Sequence, residues 1–151
     1  MTMNASGGLL SIGSNNPFDQ PMIDLGFYTN NFDLIAAREA FKSVITFSNA
    51  PAFKNIITGL TGPLANASTE AEINDIIRNT TISSLHPVGT ASMSPKDADW
   101  GVVDPDLKVK HITGLRIIDA SVMPFVPCAH TQVPTYVIAE RGADLIRSAW
   151  E

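Results

Sequence analysis

The chain has 151 residues, of which 44% are hydrophobic, 17% charged and 7% aromatic, and 10 Lys and Arg against 15 Asp and Glu leave a formal charge of −5. This is the composition of one ordinary globular domain, and at this length about 68–70% of the unfolded chain's surface can be buried, so its core needs neither metal nor disulfide. The lone cysteine, Cys128, forms no internal bridge, and scattered basic residues on an acidic chain argue against a surface for nucleic acid or anionic membrane.

No apolar run approaches the ~20 residues that span a bilayer. The first basic residue is Arg38, so the N-terminus lacks the positive stretch of a secretory signal. The chain is therefore expected either to be cytosolic or to begin downstream of a lost leader. Its opening Met-Thr-Met-Asn-Ala-Ser-Gly-Gly has no cap or periodicity and runs into Leu9-Leu10-Ser11-Ile12, whose alternation predicts a short strand already in mid-domain, as after a truncated start. Turn chemistry follows at Asn15-Asn16-Pro17 and Asp19-Gln20-Pro21. Residues 31–48 predict a helix with Leu34, Ala37, Phe41, Val44 and Ile45 as its core-facing stripe.

Gly59, Gly62 and Pro63 break the next stretch. Thr69-Glu70-Ala71-Glu72 is a capping box opening a short helix that carries Ile73, Ile76 and Ile77 and ends at Asn79-Thr80. Residues 102–109 predict a strand and a Pro-Asp bend, and Leu115-Arg116-Ile117-Ile118 a second, largely buried strand. Pro134 suits a first helical turn, and Tyr136, Val137, Ala139, Ala143, Ile146 and Trp150 supply the apolar face of a last helix running to the C-terminus. Helices among separated strand pairs predict an α+β domain. The 10 glycines form no Gly-x-Gly-x-x-Gly, so the chain alone lacks the usual pyrophosphate cradle.

Three histidines are candidates for chemistry: His86, His111 and His130. Pro87 disfavours the α region for His86 and holds it extended, and His130 stands just before the last helix in Pro127-Cys128-Ala129-His130-Thr131-Gln132. Imidazoles take and return protons near neutral pH, so two of them placed by rigid neighbours can work as an acid–base pair. His111, beside Thr113-Gly114 in a turn, reads as a surface residue. No His-Glu-x-x-His and no further Cys partner supports a metal site, and no Gly-x-Ser-x-Gly supports a serine hydrolase. Cys128 reads as a small buried apolar filler. Sequons at Asn4-Ala5-Ser6, Asn66-Ala67-Ser68 and Asn79-Thr80-Thr81 fit a secreted parent enzyme.

Five blocks follow one another over residues 86–146: His86-Pro87-Val88-Gly89-Thr90-Ala91-Ser92-Met93, Gly101-Val102-Val103-Asp104, Leu107-Lys108-Val109, Gly114-Leu115-Arg116-Ile117-Ile118-Asp119-Ala120-Ser121-Val122-Met123-Pro124 and Ile138-Ala139-Glu140-Arg141-Gly142-Ala143-Asp144-Leu145-Ile146. In this order they resemble the C-terminal signature of the glucose–methanol–choline (GMC) family of flavin oxidoreductases. Histidine at both sites, 44 positions apart, resembles the aryl-alcohol oxidase and pyranose dehydrogenase branch. Upstream, Asp19-Gln20-Pro21-Met22-Ile23-Asp24 and the helix at 31–48 resemble the substrate domain of that branch, so the likeness covers nearly the whole chain.

The resemblance implies a GMC-type substrate-binding portion over residues 1–85, an antiparallel sheet with helices. Over residues 86–151 it implies the catalytic-histidine segment with the C-terminal strand and helix of the FAD domain, the Rossmann portion being absent. It further implies FAD as cofactor, an aryl or sugar alcohol as small-molecule substrate, and a missing N-terminal FAD-binding domain as partner, with no metal. His86 would be the main base, removing the hydroxyl proton as the substrate carbon gives a hydride to flavin N5, and His130 would orient the alcohol oxygen. Asp119 and Ala120 match the pair that approaches the ribityl and pyrophosphate portion of FAD. Thr131 and Gln132 match the turn beside the flavin pyrimidine ring, where the positive end of the last helix would stabilise anionic reduced flavin. Leu85 occupies the position where aryl-alcohol oxidases tend to carry a bulky aromatic. The alternative is a truncated, non-catalytic domain that binds a partner or has no independent activity.

Overall fold

The structure, a computed structural model, describes residues 7–151, which divide into two compact units, residues 7–82 and 83–151. The opening residues and the Asn4 sequon lie outside the described residues.

The first unit begins with β1 (Leu9–Ser11) paired antiparallel to β2 (Met22–Asp24), Leu9 facing Asp24 and Ser11 facing Met22. The intervening loop is tied by the side chains its sequence supplies: Asn16 Nδ2 donates to Asp19 Oδ1 at 2.8 Å, and Phe18 N donates to Asn16 Oδ1 at 3.2 Å. The second of these bonds closes an Asx turn, as Asn next to proline predicts.

Helix α1 (Asn31–Ser48) is capped by Asn30, whose side chain accepts from Phe32 N at 2.9 Å. Helix α2 (Glu70–Thr80) carries the complete capping box, Thr69 Oγ1 accepting from Glu72 N at 3.2 Å and Glu72 Oε2 accepting from Thr69 N at 2.9 Å. Two 3-10 turns, Pro51–Phe53 and Pro63–Asn66, stand on either side of the glycine break. Helices α1 and α2 pack together, and Arg38 links them, its Nη1 reaching Glu70 Oε2 at 3.5 Å and Asn74 Oδ1 at 3.4 Å. The far end of α2 is held by Tyr28, whose hydroxyl shares a 2.6 Å hydrogen bond with Thr81 Oγ1 while its ring lies under the Arg78 guanidinium. The expected core stripe of α1 is only partly covered: Leu34 is buried, Ala37, Phe41 and Ile45 are half-buried, and Val44 is exposed. One neighbouring helix covers a narrow stripe, and Val44 lies on its rim.

The second unit is built on Val103, Leu107 and Val122, with Met93, Val109, Ile117, Ile118, Ile138 and Leu145 packed around them. The two strands expected at 102–109 and 115–118 form only single bridges, Met93 with Val103, Val103 with Val109, and Lys108 with Arg116. Left-handed backbone at Gly101 (φ 82°), Leu107 (φ 66°), His111 (φ 62°) and Gly114 (φ 81°) turns the chain every few residues and stops any ladder from growing. Leu115 is accordingly exposed and Ile117 and Ile118 are half-buried, where a largely buried strand was expected.

A 3-10 turn, Ala120–Val122, leads toward α3 (Gln132–Arg147), which stops three residues short of Trp150. The face that packs is Ile138, Gly142 and Leu145, whereas the expected apolar face of Tyr136, Val137, Ala139, Ala143, Ile146 and Trp150 is exposed. Cys128 is exposed as well, because it falls in the turn before α3 rather than under it. Among the described residues no helix is long and apolar enough to cross a membrane.

Candidate active site

His86 follows Leu85, which adopts a left-handed conformation (φ 59°), and precedes Pro87, so the chain is constrained on both sides of it. Beyond it Gly89 (φ 88°) turns the backbone, and Ser92 Oγ locks that turn by donating to Gly89 O at 2.6 Å. Two backbone bonds then fasten the segment to the 3-10 turn: Ala91 N donates to Ser121 O at 3.0 Å and Met93 N to Val122 O at 2.9 Å. Because Val122 is fully buried, this seam anchors His86 to the core of the unit. His130 is placed from the other direction, at the end of the link between the 3-10 turn and α3, whose Ile138 and Leu145 pack on the same core.

The two histidines meet. His130 Nδ1 lies 2.9 Å from His86 Nε2, with ring centres 4.9 Å apart and planes inclined at 68°. One nitrogen of this contact must donate and the other accept, and two imidazolium rings could not make it, since neither would carry a lone pair. The pair therefore holds a proton on one facing nitrogen and a free acceptor on the other. His130 is exposed and His86 half-buried, so a small molecule can reach both.

The remaining expected residues lie along the same path. Asp119 caps the 3-10 turn, its Oδ1 accepting from Ser121 N at 2.7 Å, and Ala120 begins that turn. Thr131 holds the N-cap position of α3 without a side-chain capping bond, and exposed Gln132 opens the helix. Pro134 has no N–H and Thr135 N already donates to Thr131 O, so Gln132 and Val133 carry the first-turn N–H groups that lack an intrahelical acceptor. His111 stands apart, exposed, in a hollow of about 310 Å³ that it lines with Ala98, Asp99, Gly101, Val102, Val109 and Lys110. Neither His86 nor His130 lines that hollow. Among the described residues no group of three or more His, Cys, Asp or Glu side chains is placed to hold a metal ion.

Sequence reasoning missed the left-handed backbone of Leu85 and the backbone seam from Ala91 and Met93 to Ser121 and Val122. Gly89 could have signalled the turn, but nothing in a leucine codes for positive φ.

Residues 4–139 match the family model described as GMC oxidoreductase. Pyranose dehydrogenase 3 of Leucoagaricus meleagris is 41% identical over 147 residues, which make up 97% of this chain and 24% of that protein. A formate oxidase of Aspergillus oryzae, in a structure concerned with FAD modification, superposes with a TM-score of 0.83 at 35% identity, over 94% of this chain and 25% of that one. A fungal aryl-alcohol oxidase superposes with a TM-score of 0.79 at 31% identity, over 95% and 24%. The chain spans about a quarter of the length of the curated relatives it matches. The small α+β fold, a two-stranded antiparallel sheet with three helices, is that of the matching structures, and the family and these neighbours are FAD-dependent flavoproteins. With the family match running over most of its length, the chain belongs to the GMC oxidoreductase family.

Proposed function

We propose that this chain is the C-terminal part of an FAD-dependent alcohol oxidoreductase, in which His86 and His130 are the acid–base pair. The observation that carries this reading is the 2.9 Å contact between two imidazoles 44 residues apart in sequence. A base that removes a hydroxyl proton and a group that holds the same oxygen must stand within one hydrogen-bond length of a shared atom.

His86 takes the hydroxyl proton on its ring nitrogen, and His130 holds the alcohol oxygen. To do so the substrate hydroxyl replaces the nitrogen–nitrogen contact, giving one imidazole a donor and the other an acceptor. Deprotonation matters because an alkoxide releases hydride far more readily than a neutral alcohol. FAD, when bound, supplies the hydride acceptor.

The residues present fit one wall of such a cofactor site. Uncapped N–H groups at the start of α3, beside Thr131 and Gln132, suit the electron-rich edge of a flavin. Asp119 and Ala120, at the head of the turn that anchors His86, take the part of the wall nearer the ribityl chain. Residues 1–85 supply the substrate-binding portion and 86–151 the catalytic histidines. A primary or sugar alcohol is the substrate class, in keeping with the names pyranose dehydrogenase and aryl-alcohol oxidase borne by the relatives.

The test is stopped-flow reduction of the flavin in the longer enzyme. His86→Ala slows reduction by about 10²–10⁴-fold, the usual loss of a positioned general base. His130→Ala slows it less, because water can hold the alcohol oxygen in its place. Equal losses would reverse the division of roles, and unchanged rates in both variants would discard the pair.

A further inference from the structure

We infer that His86 and His130 also form a two-nitrogen binding site for a borderline divalent cation, Cu²⁺ above Zn²⁺. The inference concerns the nitrogen pair itself and stands whether or not the pair acts as a base.

The geometry carries it. Two nitrogens 2.9 Å apart, each at about 2.05 Å from one metal ion, subtend about 90° at that ion. On that construction the ring centres would stand about 4.5 Å apart, so from their 4.9 Å the rings turn slightly toward the ion. An angle of about 90° is that between neighbouring corners of a square or tetragonal coordination shell, the preference of Cu²⁺. A tetrahedral Zn²⁺ would need the nitrogens about 3.3 Å apart, so the pair must open to accept it. Cu²⁺ also heads the general order of affinity for imidazole nitrogen.

The ligand atoms are available. Nδ1 of His130 and Nε2 of His86 present lone pairs together once each ring carries its proton on the remote nitrogen. Both side chains are reachable from solvent, and each is held by rigid backbone: Leu85 and Pro87 around His86, the start of α3 after His130. The positive end of α3 works against a bare dication and favours one that brings its own hydroxide or chloride. With two protein ligands, the remaining positions of the ion are left to water or to such an anion.

The experiment uses this chain with Cys128→Ser, which removes the thiol as a competing ligand and reductant. Calorimetric titration with CuCl₂ and ZnCl₂ is expected to show one ion per chain, with Cu²⁺ the tighter. His86→Gln and His130→Gln should each weaken Cu²⁺ by about tenfold or more, while His111→Gln leaves it unchanged. Electron paramagnetic resonance of the bound Cu²⁺ should show coupling to two imidazole nitrogens. Thermal unfolding of each variant without metal checks that it still folds. Binding insensitive to His86→Gln, a spectrum with a single nitrogen, or affinity no greater than that of a variant carrying both His86→Gln and His130→Gln would overturn the site.

Discussion

A β-carbon placed on Gly142 would lie 2.5 Å from Cγ2 of Ile118 and 2.8 Å from its Cδ1. Helix α3 thus sits on Ile118 as closely as two backbones with one side chain between them permit. Alanine at 142 gains about 1 kcal/mol of helix propensity but forces a β-branched neighbour out of its preferred rotamer, an overpacking cost of about 1–3 kcal/mol. Gly142→Ala is therefore expected to destabilise by about 1 kcal/mol in urea unfolding. Ile118→Ala removes the obstacle, so the two substitutions should not be additive. Additive losses would show that Ile118 does not obstruct the added methyl group.

That contact also explains what was and was not legible in the sequence. Helix α3 carries apolar residues on more than one side, and periodicity alone selected Tyr136, Val137 and Ile146, which are exposed. The side that packs is chosen by the small Gly142, a residue that hydrophobicity overlooks. Where local chemistry decides, the reading held: the 18 residues of α1 and the capping box at Thr69 and Glu72 stand where their side chains predict them. The strands of the second unit did not, because the chain turns through left-handed backbone at Leu107 and His111, and the buried Leu107 is of a residue type that seldom adopts it. His86 and His130 could be linked beforehand only through the ordered blocks around them. No spacing rule predicts a contact across 44 residues.

The start of α2 gives a pH-dependent prediction. Glu72 accepts hydrogen bonds from the backbone of Ser68 and Thr69 and from the Ser68 hydroxyl, and these hold its carboxyl down to about 2. A carboxylate with a depressed folded-state value stabilises the fold above its unfolded value of 4.5, and loses that contribution as pH falls from there toward 2. Glu72→Gln should therefore flatten this part of the stability–pH curve while changing little of its shape above pH 6. Thr69→Ala, which removes the reciprocal cap, should cost about 1 kcal/mol across the whole range. Circular dichroism melts at stepped pH read both effects.

Lys110 offers a prediction about the loop that frames the second unit's core. Its ammonium donates to Asp104 Oδ1 at 2.7 Å, Pro95 O at 2.9 Å and Lys96 O at 3.1 Å, which uses all three of its protons. With only 10% of the side chain exposed, little water can replace it. Lys110→Met should destabilise by about 1–3 kcal/mol, chiefly by stranding the Asp104 carboxylate. Adding Asp104→Leu should recover part of that loss in urea titrations. Failure to recover any of it would place the cost in the two carbonyls instead.

The chain by itself should bind FAD weakly or not at all and oxidise no alcohol. Asp119, Ala120, Thr131 and Gln132 make one wall of the proposed site. The two phosphates of the cofactor normally rest on a glycine turn at a helix N-terminus, and no Gly-x-Gly-x-x-Gly occurs in these 151 residues. A wall without that cradle offers few fixed donors to two negative charges. The second unit also exposes Leu85 at 85%, Phe125 at 77% and Val133 at 69%, side chains close in sequence to the histidines or to the start of α3. Apolar surface of that kind should drive weak self-association, seen as a concentration-dependent sedimentation coefficient. Calorimetric titration with FAD, followed by turnover assays with benzyl-type and sugar alcohols, tests the first expectation. Micromolar or tighter binding with turnover would show that residues outside the proposed wall complete the site within this chain.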